Sequence, residues 1–568
     1  MARAGPGPLM EGQVRMRWHP FHRSTLRADA VAGLVLGVQS VPDSLATGLL
    51  AGVNPIFGLN AYMLGTLGGA LATSSAFMAV QATGAMSMIV LDVPEVHEGA
   101  SPARALFTLS LLTGAVMLIA GLFRLGSVLR FVSNAVMVGF INAVGVNIVL
   151  GQLASLTGFA ADGPNRVIRA IQTVLNPTQW DLPTLAVGIA TVVLIVALER
   201  TRVGALGLVI AVVVTSAAAA AFSWSSVATL NDLGITVSSL PRPEAPMLSL
   251  VPVLLVPAVS LAFVGLVQGA GVSASFPNPD GRYPDASRDF VGQGVANVAS
   301  GLFQGMPVGG SVSATALNRE AGARSRQSLV FTAVVMAIVV IAFGGVVGHV
   351  AMPALAGLLI LIGIRTVKPT NLISVWRSGG VQKVVLVVTF VLTMLIPLQY
   401  AVLVGVVLSI GLYVVKQSNR VTVRRQVPDG DGHLVESEPP AVLPSGEIVI
   451  LQPYGSLFFA SAAVFEEQLP AVEEGSRGSV VLLRLRGRDD LGLTMAKVLL
   501  RYAERLHAAG SRLVLVSTNE RIEEQLTVAG VTAIVGDDAL YRGDERAGAT
   551  LKRAVEDARQ WIAGHVQP

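Results

Sequence analysis

Long apolar runs fill residues 28 to 417, and dense mixtures of Arg, Glu and Asp fill residues 418 to 568, so the pattern of hydrophobic positions divides the chain in two. A helix needs about 20 apolar residues to cross a bilayer. Stretches near 29–51, 55–75, 104–122, 127–152, 183–199, 204–222, 250–273, 328–348, 351–364, 382–396 and 398–416 read as full or interrupted spans. Three further segments, near 79–92, 290–303 and 311–318, are too short or too rich in Gly and polar residues to pass that test. They carry the functional signal, because non-helical backbone survives at membrane depth only where protein or a watery cavity satisfies its polar groups.

Beyond the apolar part the period changes. Residues 418–446 read as a polar linker with a turn at Pro428 to Gly432. Strands are predicted over Glu447 to Pro453, Ser479 to Leu485 and Arg512 to Ser517, and helices over Ser461 to Glu474, Leu493 to Ala509 and Glu520 to Ala529. This alternation predicts an α/β domain over 447–568. Residues 1–27 form a short segment ahead of the first span. They hold Arg3, Arg15, Arg17, Arg23 and Arg27 without an apolar core, so a cleavable signal peptide is not expected.

Composition sharpens the membrane reading. Of the 568 residues, 52% are hydrophobic and 13% charged, where a soluble domain carries about 25% charged. The basic balance comes mainly from arginines that flank apolar segments, which suits membrane orientation and anionic headgroups rather than nucleic acid. With no cysteine, disulfides and thiolate metal sites are excluded. There is no Walker loop, HExxH, metal cluster or nucleophile elbow, so neither an enzyme nor a cofactor is expected and ATP-driven transport is disfavoured. Gly292-Gln293-Gly294 lacks the preceding strand of a dinucleotide fingerprint. Placing the N-terminus in the cytosol and walking through about fourteen crossings puts Arg124, Arg130, Arg200, Arg202, Arg282, Arg288, Arg319, Arg324, Arg326, Arg365, Lys368, Arg377 and Lys383 inside. Only Arg104, Arg166, Arg169 and Arg242 fall outside, which predicts a multi-pass protein of the cell (inner or plasma) membrane with both termini cytosolic.

Two of the interrupted segments occupy comparable places, Gln81-Ala82-Thr83-Gly84 in the first half and Gly309-Gly310-Ser311-Val312-Ser313 in the second. If the halves are inverted repeats, two short helices would point their N-termini at one another across the midplane. Each N-terminus carries about half a positive charge and unsatisfied N–H groups, together an anion site without a cationic side chain. The alternative is that these glycines only permit close helix packing.

Three blocks add a resemblance. LRADAVAGLVLGVQSVPDSLATGLLAGVNPIFGL (Leu26 to Leu59), FVSNAVMVGFINAVGVNI (Phe131 to Ile148) and RDFVGQGVANVASGLFQGMPVGGSVSATALNREAGAR (Arg288 to Arg324) resemble, in order, the first, fifth and ninth-to-tenth spans of the SulP anion transporters, relatives of the solute-carrier anion exchangers and prestin. GSLFFASAAVFEEQL (Gly455 to Leu469) resembles the STAS domain those transporters carry. The resemblance implies a polytopic α-helical membrane protein of 14 transmembrane segments in a 7+7 inverted repeat, with core and gate domains, a cytosolic α/β STAS domain, and homodimers. It also implies secondary active transport of small anions (sulfate, bicarbonate, chloride or a dicarboxylate) by elevator-like movement of the core past the gate. By position, the anion would meet Gln81, Ala82, Thr83 and Gly84 on the third segment and Ser311, Val312 and Ser313 on the tenth. Span one would add Asp43 and Ser44, and span eight Gln268.

The departures from the family concern charge. Ala314 stands where many relatives have Arg, Gln268 cannot titrate where relatives usually carry Glu or Asp, and Asp43 is an added carboxylate. An Asp at the centre of a span costs roughly 2.5–3.5 kcal/mol on insertion scales, so it faces a cavity or a partner. Asp43 either couples transport, binding a proton as the anion enters, or caps a helix broken after Pro42. Asp43 and Gln268 are the coupling candidates, with a proton or sodium ion as the co-substrate. Thr315, Asn318 and Asn147 could line a path, but interhelical hydrogen bonds of ~1 kcal/mol are the preferred reading. In the STAS loop Arg488 to Thr494 the phosphorylatable Ser of regulatory relatives is missing; Thr494 could replace it, and Asp490 is better read as a helix-start residue. Beside a carrier, the sequence allows an uncoupled anion channel or uniporter, and a membrane-anchored STAS regulator without transport.

Overall fold

Pro42 sits inside α1 (Leu26–Leu50), and that helix runs through it unbroken. Proline removes one helical N–H, and nearby hydroxyls cover freed carbonyls in membrane helices. Here Ser44 Oγ donates to Val41 O at 2.7 Å and Thr47 Oγ1 to Ser44 O at 2.9 Å, both beyond the Val38 carbonyl that Pro42 leaves without its helical donor. The computed structural model describes residues 24–98, 100–126, 133–222, 224–233, 240–418, 420–428, 433–544 and 548–565. Arg3, Arg15, Arg17, Arg23, Arg130, Phe131 and residues 429–432 of the predicted turn lie outside the described residues.

The apolar part continues with α2 (Pro55–Ala72), β1 (Ala79–Gln81), α3 (Gly84–Leu91), α4 (Pro102–Leu122), α5 (Asn134–Thr157), α6 (Arg166–Leu175), α7 (Leu182–Glu199), α8 (Gly207–Ala221), α9 (Val251–Ser275) and α10 (Ala286–Leu302). It ends with β2 (Gly309–Ser311), α11 (Val312–Glu320), α12 (Gln327–Val347), α13 (Met352–Thr366), α14 (Pro369–Arg377), α15 (Gly380–Leu395) and α16 (Leu398–Ser418). Every stretch read as a span holds a helix. Nine helices among the described residues are long and apolar enough to cross a membrane. Side-chain caps start several of them: Asn54 and Pro55 begin α2, Asp181 caps α7 and Asp285 caps α10.

The segment 290–303 is not interrupted, contrary to expectation. It is the body of α10, whose Asp289, Gln293, Asn297 and Ser300 are fully buried and recur on one face. Those polar groups hydrogen-bond inside the protein, so the helix fails a hydropathy test without being broken. Helices α1, α2, α4, α9, α10 and α12 pack mainly on one another, and α5, α7, α13 and α15 form a second set. Buried carboxylates fix the connections of the first set. Asp289 Oδ1 accepts from Ser74 N (2.6 Å) and Ser74 Oγ (2.8 Å), and Asp29 accepts from Arg324 N (2.7 Å), Ser325 N (2.9 Å) and Ser325 Oγ (2.7 Å).

Chain contacts divide the protein within α16, after Ser409. The second unit holds a six-stranded sheet in the order β4-β3-β5-β6-β7-β8. Its strands are β3 (Thr422–Pro428), β4 (Leu434–Ser437), β5 (Ile448–Tyr454), β6 (Val480–Arg484), β7 (Arg512–Thr518) and β8 (Leu540–Arg542). The pairs β5–β6, β6–β7 and β7–β8 are parallel, with α17 (Ala462–Glu467), α18 (Gly492–Ala508), α19 (Glu520–Val528), α20 (Val531–Val535) and α21 (Ala549–His565) between or after the strands. The stretch read as a linker therefore contains two strands. β3 pairs antiparallel with β5, and Gln468 clips its start by accepting from Val423 N (2.8 Å) and donating to Val421 O (2.9 Å). Consecutive Arg424 and Arg425 hide the strand period in the sequence. The helix read over Ser461 to Glu474 stops at Glu467, ahead of Pro470.

Candidate functional site

The two interrupted segments meet. β1 pairs antiparallel with β2 in the register Ala79↔Ser311, Val80↔Gly310 and Gln81↔Gly309. α3 follows one end of this ladder and α11 the other; the ladder ends at Gln81 and Ser311 are two residues, about 7 Å, apart along it at ~3.3 Å per residue. Each start is capped by a hydroxyl: Thr83 Oγ1 accepts from Met86 N (3.4 Å) and Ser311 Oγ from Ala314 N (3.3 Å). The N–H groups at Gly84 and at Val312 and Ser313 belong to first helical turns, where the backbone has no intrahelical acceptor.

Glycine makes this crossing possible at one spot in particular. A Cβ on Gly310 would lie 2.6 Å from the Cα of Gly269 on α9, backbone against backbone. α10 supplies the framework that sequence reading missed. Gln293 Oε1 accepts from Gly310 N (2.9 Å), while Asn297 donates to Val308 O (2.7 Å) and accepts from Val308 N (2.9 Å). Gln293 is the middle residue of the Gly-Gln-Gly run, whose only signal was a polar residue in a membrane-like segment.

The candidate residues divide by what their side chains do. Val312 is 49% exposed and Ser313 is open, whereas Thr83, Gly84, Ser311 and Asp43 are half-buried. Gln81, Ala82 and Ser44 are buried. The Gln81 amide donates to Ser40 Oγ (3.1 Å) and Thr66 Oγ1 (3.3 Å), so its side chain fastens β1 to α1 and α2. Gln268 joins the site through Thr83, whose Oγ1 donates to Gln268 Oε1 at 2.9 Å. Asp43 caps nothing: in a continuous α1 its Oδ2 accepts from Tyr62 Oη of α2 at 2.8 Å. Tyr62 had no sequence signal, being an ordinary apolar-face residue of the next helix. The arrangement offers oriented amides and hydroxyls, no cationic side chain among the candidate residues, and one carboxylate held by a phenol.

The three polar residues that could line a path each have a hydrogen bond within the protein. Thr315 donates to Ser311 O (2.6 Å) and accepts from Ala79 N (3.1 Å), Asn147 donates to Thr393 O (2.9 Å), and Asn318 lies fully buried beside Phe77 O. In the second unit Asp490 accepts from Gly492 N (2.9 Å) and Gln525 Nε2 (2.7 Å) and pairs with Arg521, so it stabilises the start of α18 while Leu491 occupies the cap position. Those bonds hold its carboxyl below the usual range. Thr494 is exposed.

Comparisons with known proteins agree on one family. The sulfate permease family matches residues 26–389 and the STAS domain residues 440–556. A probable sulfate transporter of Mycobacterium tuberculosis is 26% identical, with 99% of each chain covered. Human solute carrier family 26 member 6 is 24% identical over 80% of this chain and 64% of its own. Among solved structures, the murine solute carrier 26 family member A9 anion transporter in the inward-facing state has the same fold, with a TM-score of 0.81 at 20% identity, covering 95% of this chain and 92% of that one.

Proposed function

Since the chain belongs to the sulfate permease family of anion transporters, we propose that it is a secondary active carrier of small inorganic or organic anions, held between the first turns of α3 and α11. The single observation that supports this is the β1–β2 ladder, which joins two distant segments so that both short helices start beside one another. Gly84, Val312 and Ser313 would supply N–H groups, and Thr83, Ser311 and Ser313 hydroxyls, in place of the hydration shell. Gln81, Ala82 and Ser44 shape the backbone behind them. We read the chain as 14 spans in a 7+7 repeat in the cell membrane, both termini cytosolic, working as a homodimer. The set containing α1 to α4 and α9 to α12 acts as the core, moving as an elevator past the gate.

Asp43 is the coupling residue of this proposal. An ionised carboxylate near an anion repels it, so a proton on Asp43 favours the loaded state. The Tyr62 hydroxyl gives the carboxylate a fixed orientation. The experiment is uptake by proteoliposomes of labelled sulfate, bicarbonate, chloride and fumarate, with and without imposed proton or sodium gradients. Wild type should accumulate at least one anion under a proton gradient, and Asp43→Asn should abolish that drive while leaving downhill exchange. Gradient-driven uptake surviving in Asp43→Asn would sink the coupling role. The neutral Thr83–Gln268 pair supports a second reading, an uncoupled uniporter or channel; uptake indifferent to every gradient would select it.

A further inference from the structure

A cavity of about 370 Å³ lies where the ends of α1 and α3 meet α5 and α6. Two arginines line it, Arg166 and Arg169, with one carboxylate, Asp92. Arg166 pairs with Asp92, while Arg169 has no ion-pair partner among the described residues. Gln152 of α5 also lines the cavity; it is 6% exposed, and its buried Oε1 accepts no hydrogen bond. An unpaired buried amide oxygen costs roughly 1–3 kcal/mol, and an amide turned about its last torsion presents its NH2 instead. Ser155 and Thr173 complete the polar wall.

We propose that this cavity is a second binding site for a small oxyanion, held by Arg169 and the Gln152 amide and sharing Arg166 with Asp92. The chemistry is that of charge-assisted hydrogen bonds to guanidinium groups, with Arg166 partly buried and Arg169 exposed. Asp92 ends α3 and also accepts from Leu398 N (2.9 Å), while its carbonyl accepts from Gln399 Nε2 (3.2 Å), so one residue ties α3 to α6 and α16. An anion in the cavity competes with Asp92 for Arg166 and loosens that tie. The role of this competition in transport rests on the carrier reading above; the binding itself does not.

The absence of cysteine makes a direct test possible. Ser155→Cys places a single thiol in the cavity wall of the full-length purified protein; because N-ethylmaleimide reacts with the thiolate, whose population nearby arginines raise, each variant is compared with its own rate without anion, alongside a thiolate-fraction control from the pH dependence of labelling. Sulfate and bicarbonate, tried in turn at constant ionic strength, are the probes. At least one should slow labelling about fivefold or more. Adding Arg169→Gln or Gln152→Leu should remove the protection, Arg169→Lys should keep part of it, and Arg242→Gln, an exposed arginine elsewhere, should leave it intact. Equal labelling with and without both anions, or protection that survives Arg169→Gln, overturns the site. Protection in protein that moves no anion in liposomes keeps this site and removes the carrier reading; uptake without protection does the reverse.

Discussion

Asp43 shows what a single residue does and does not disclose. A lone carboxylate in an apolar run was legible as a functional candidate, but its partner was not, because Tyr62 sits 19 residues on in another helix. The proline before it suggested a break, yet α1 runs through it from Leu26 to Leu50. Tyr62→Phe removes the phenol hydrogen bond to the Asp43 carboxylate without changing the helix. Proton-driven uptake should fall severalfold while downhill exchange persists, measured in the same vesicles as Asp43→Asn. Gly310 gives a structural counterpart. Its Cβ would strike the backbone of Gly269, and overpacking of this kind costs about 1–3 kcal/mol. Gly310→Ala should lower the midpoint of thermal unfolding in detergent and reduce transport together. Gln81 was named by the resemblance, from its position in the interrupted third segment, and the sequence had no means of showing that its amide is already engaged by Ser40 and Thr66.

At the scale of elements, the short α3 and α11 were legible because too few apolar residues separate their turn-forming neighbours for a full crossing. α10 was misread for the opposite reason. Its buried polar face looks like an interruption when hydropathy is averaged, although each polar side chain has a partner. Asn297→Ala deletes both bonds to Val308 and leaves a backbone pair unsatisfied in the interior. A loss of roughly 1–3 kcal/mol follows for each group, and denaturant or thermal unfolding should show it more strongly than Ser313→Ala at the open end of α11. β3 was missed since its alternation is broken by adjacent arginines and its pairing with β5 lies outside any local signal, and β4, four exposed residues long, pairs only with β3. A carboxylate that joins three helices predicts a graded effect: Asp92→Asn should weaken the ties of α3 to α6 and α16, visible as faster amide exchange in 166–175 than in 134–157.

For the whole molecule, the division into an apolar unit and an α/β unit was plain from charge density, and three ordered blocks carried the family. The substrate was not legible, because amides and hydroxyls accept many oxyanions. In the α/β unit, Glu523 accepts from Arg542 (2.7 Å) and Thr518 (2.9 Å), and these bonds hold its carboxyl below the ordinary value of 4.5. A carboxylate lowered in this way adds stability above its unfolded value and loses it as pH falls through its folded one. Circular dichroism of wild type should therefore show an acid loss below about pH 4.5 that is shallower in Glu523→Gln, by well under ~1 kcal/mol because Arg542 is exposed. The ladder has a further consequence for biogenesis. Ala79 N bonds a residue 236 positions later, Thr315, so a nascent chain delivers its first short helix to the translocon long before the matching strand is synthesised. Eight residues of helix reach only ~12 Å, under half of a ~30 Å hydrocarbon layer. Chains arrested before Gly309 should leave that region open to protease or glycosylation probes, and those arrested after Glu320 should shield it.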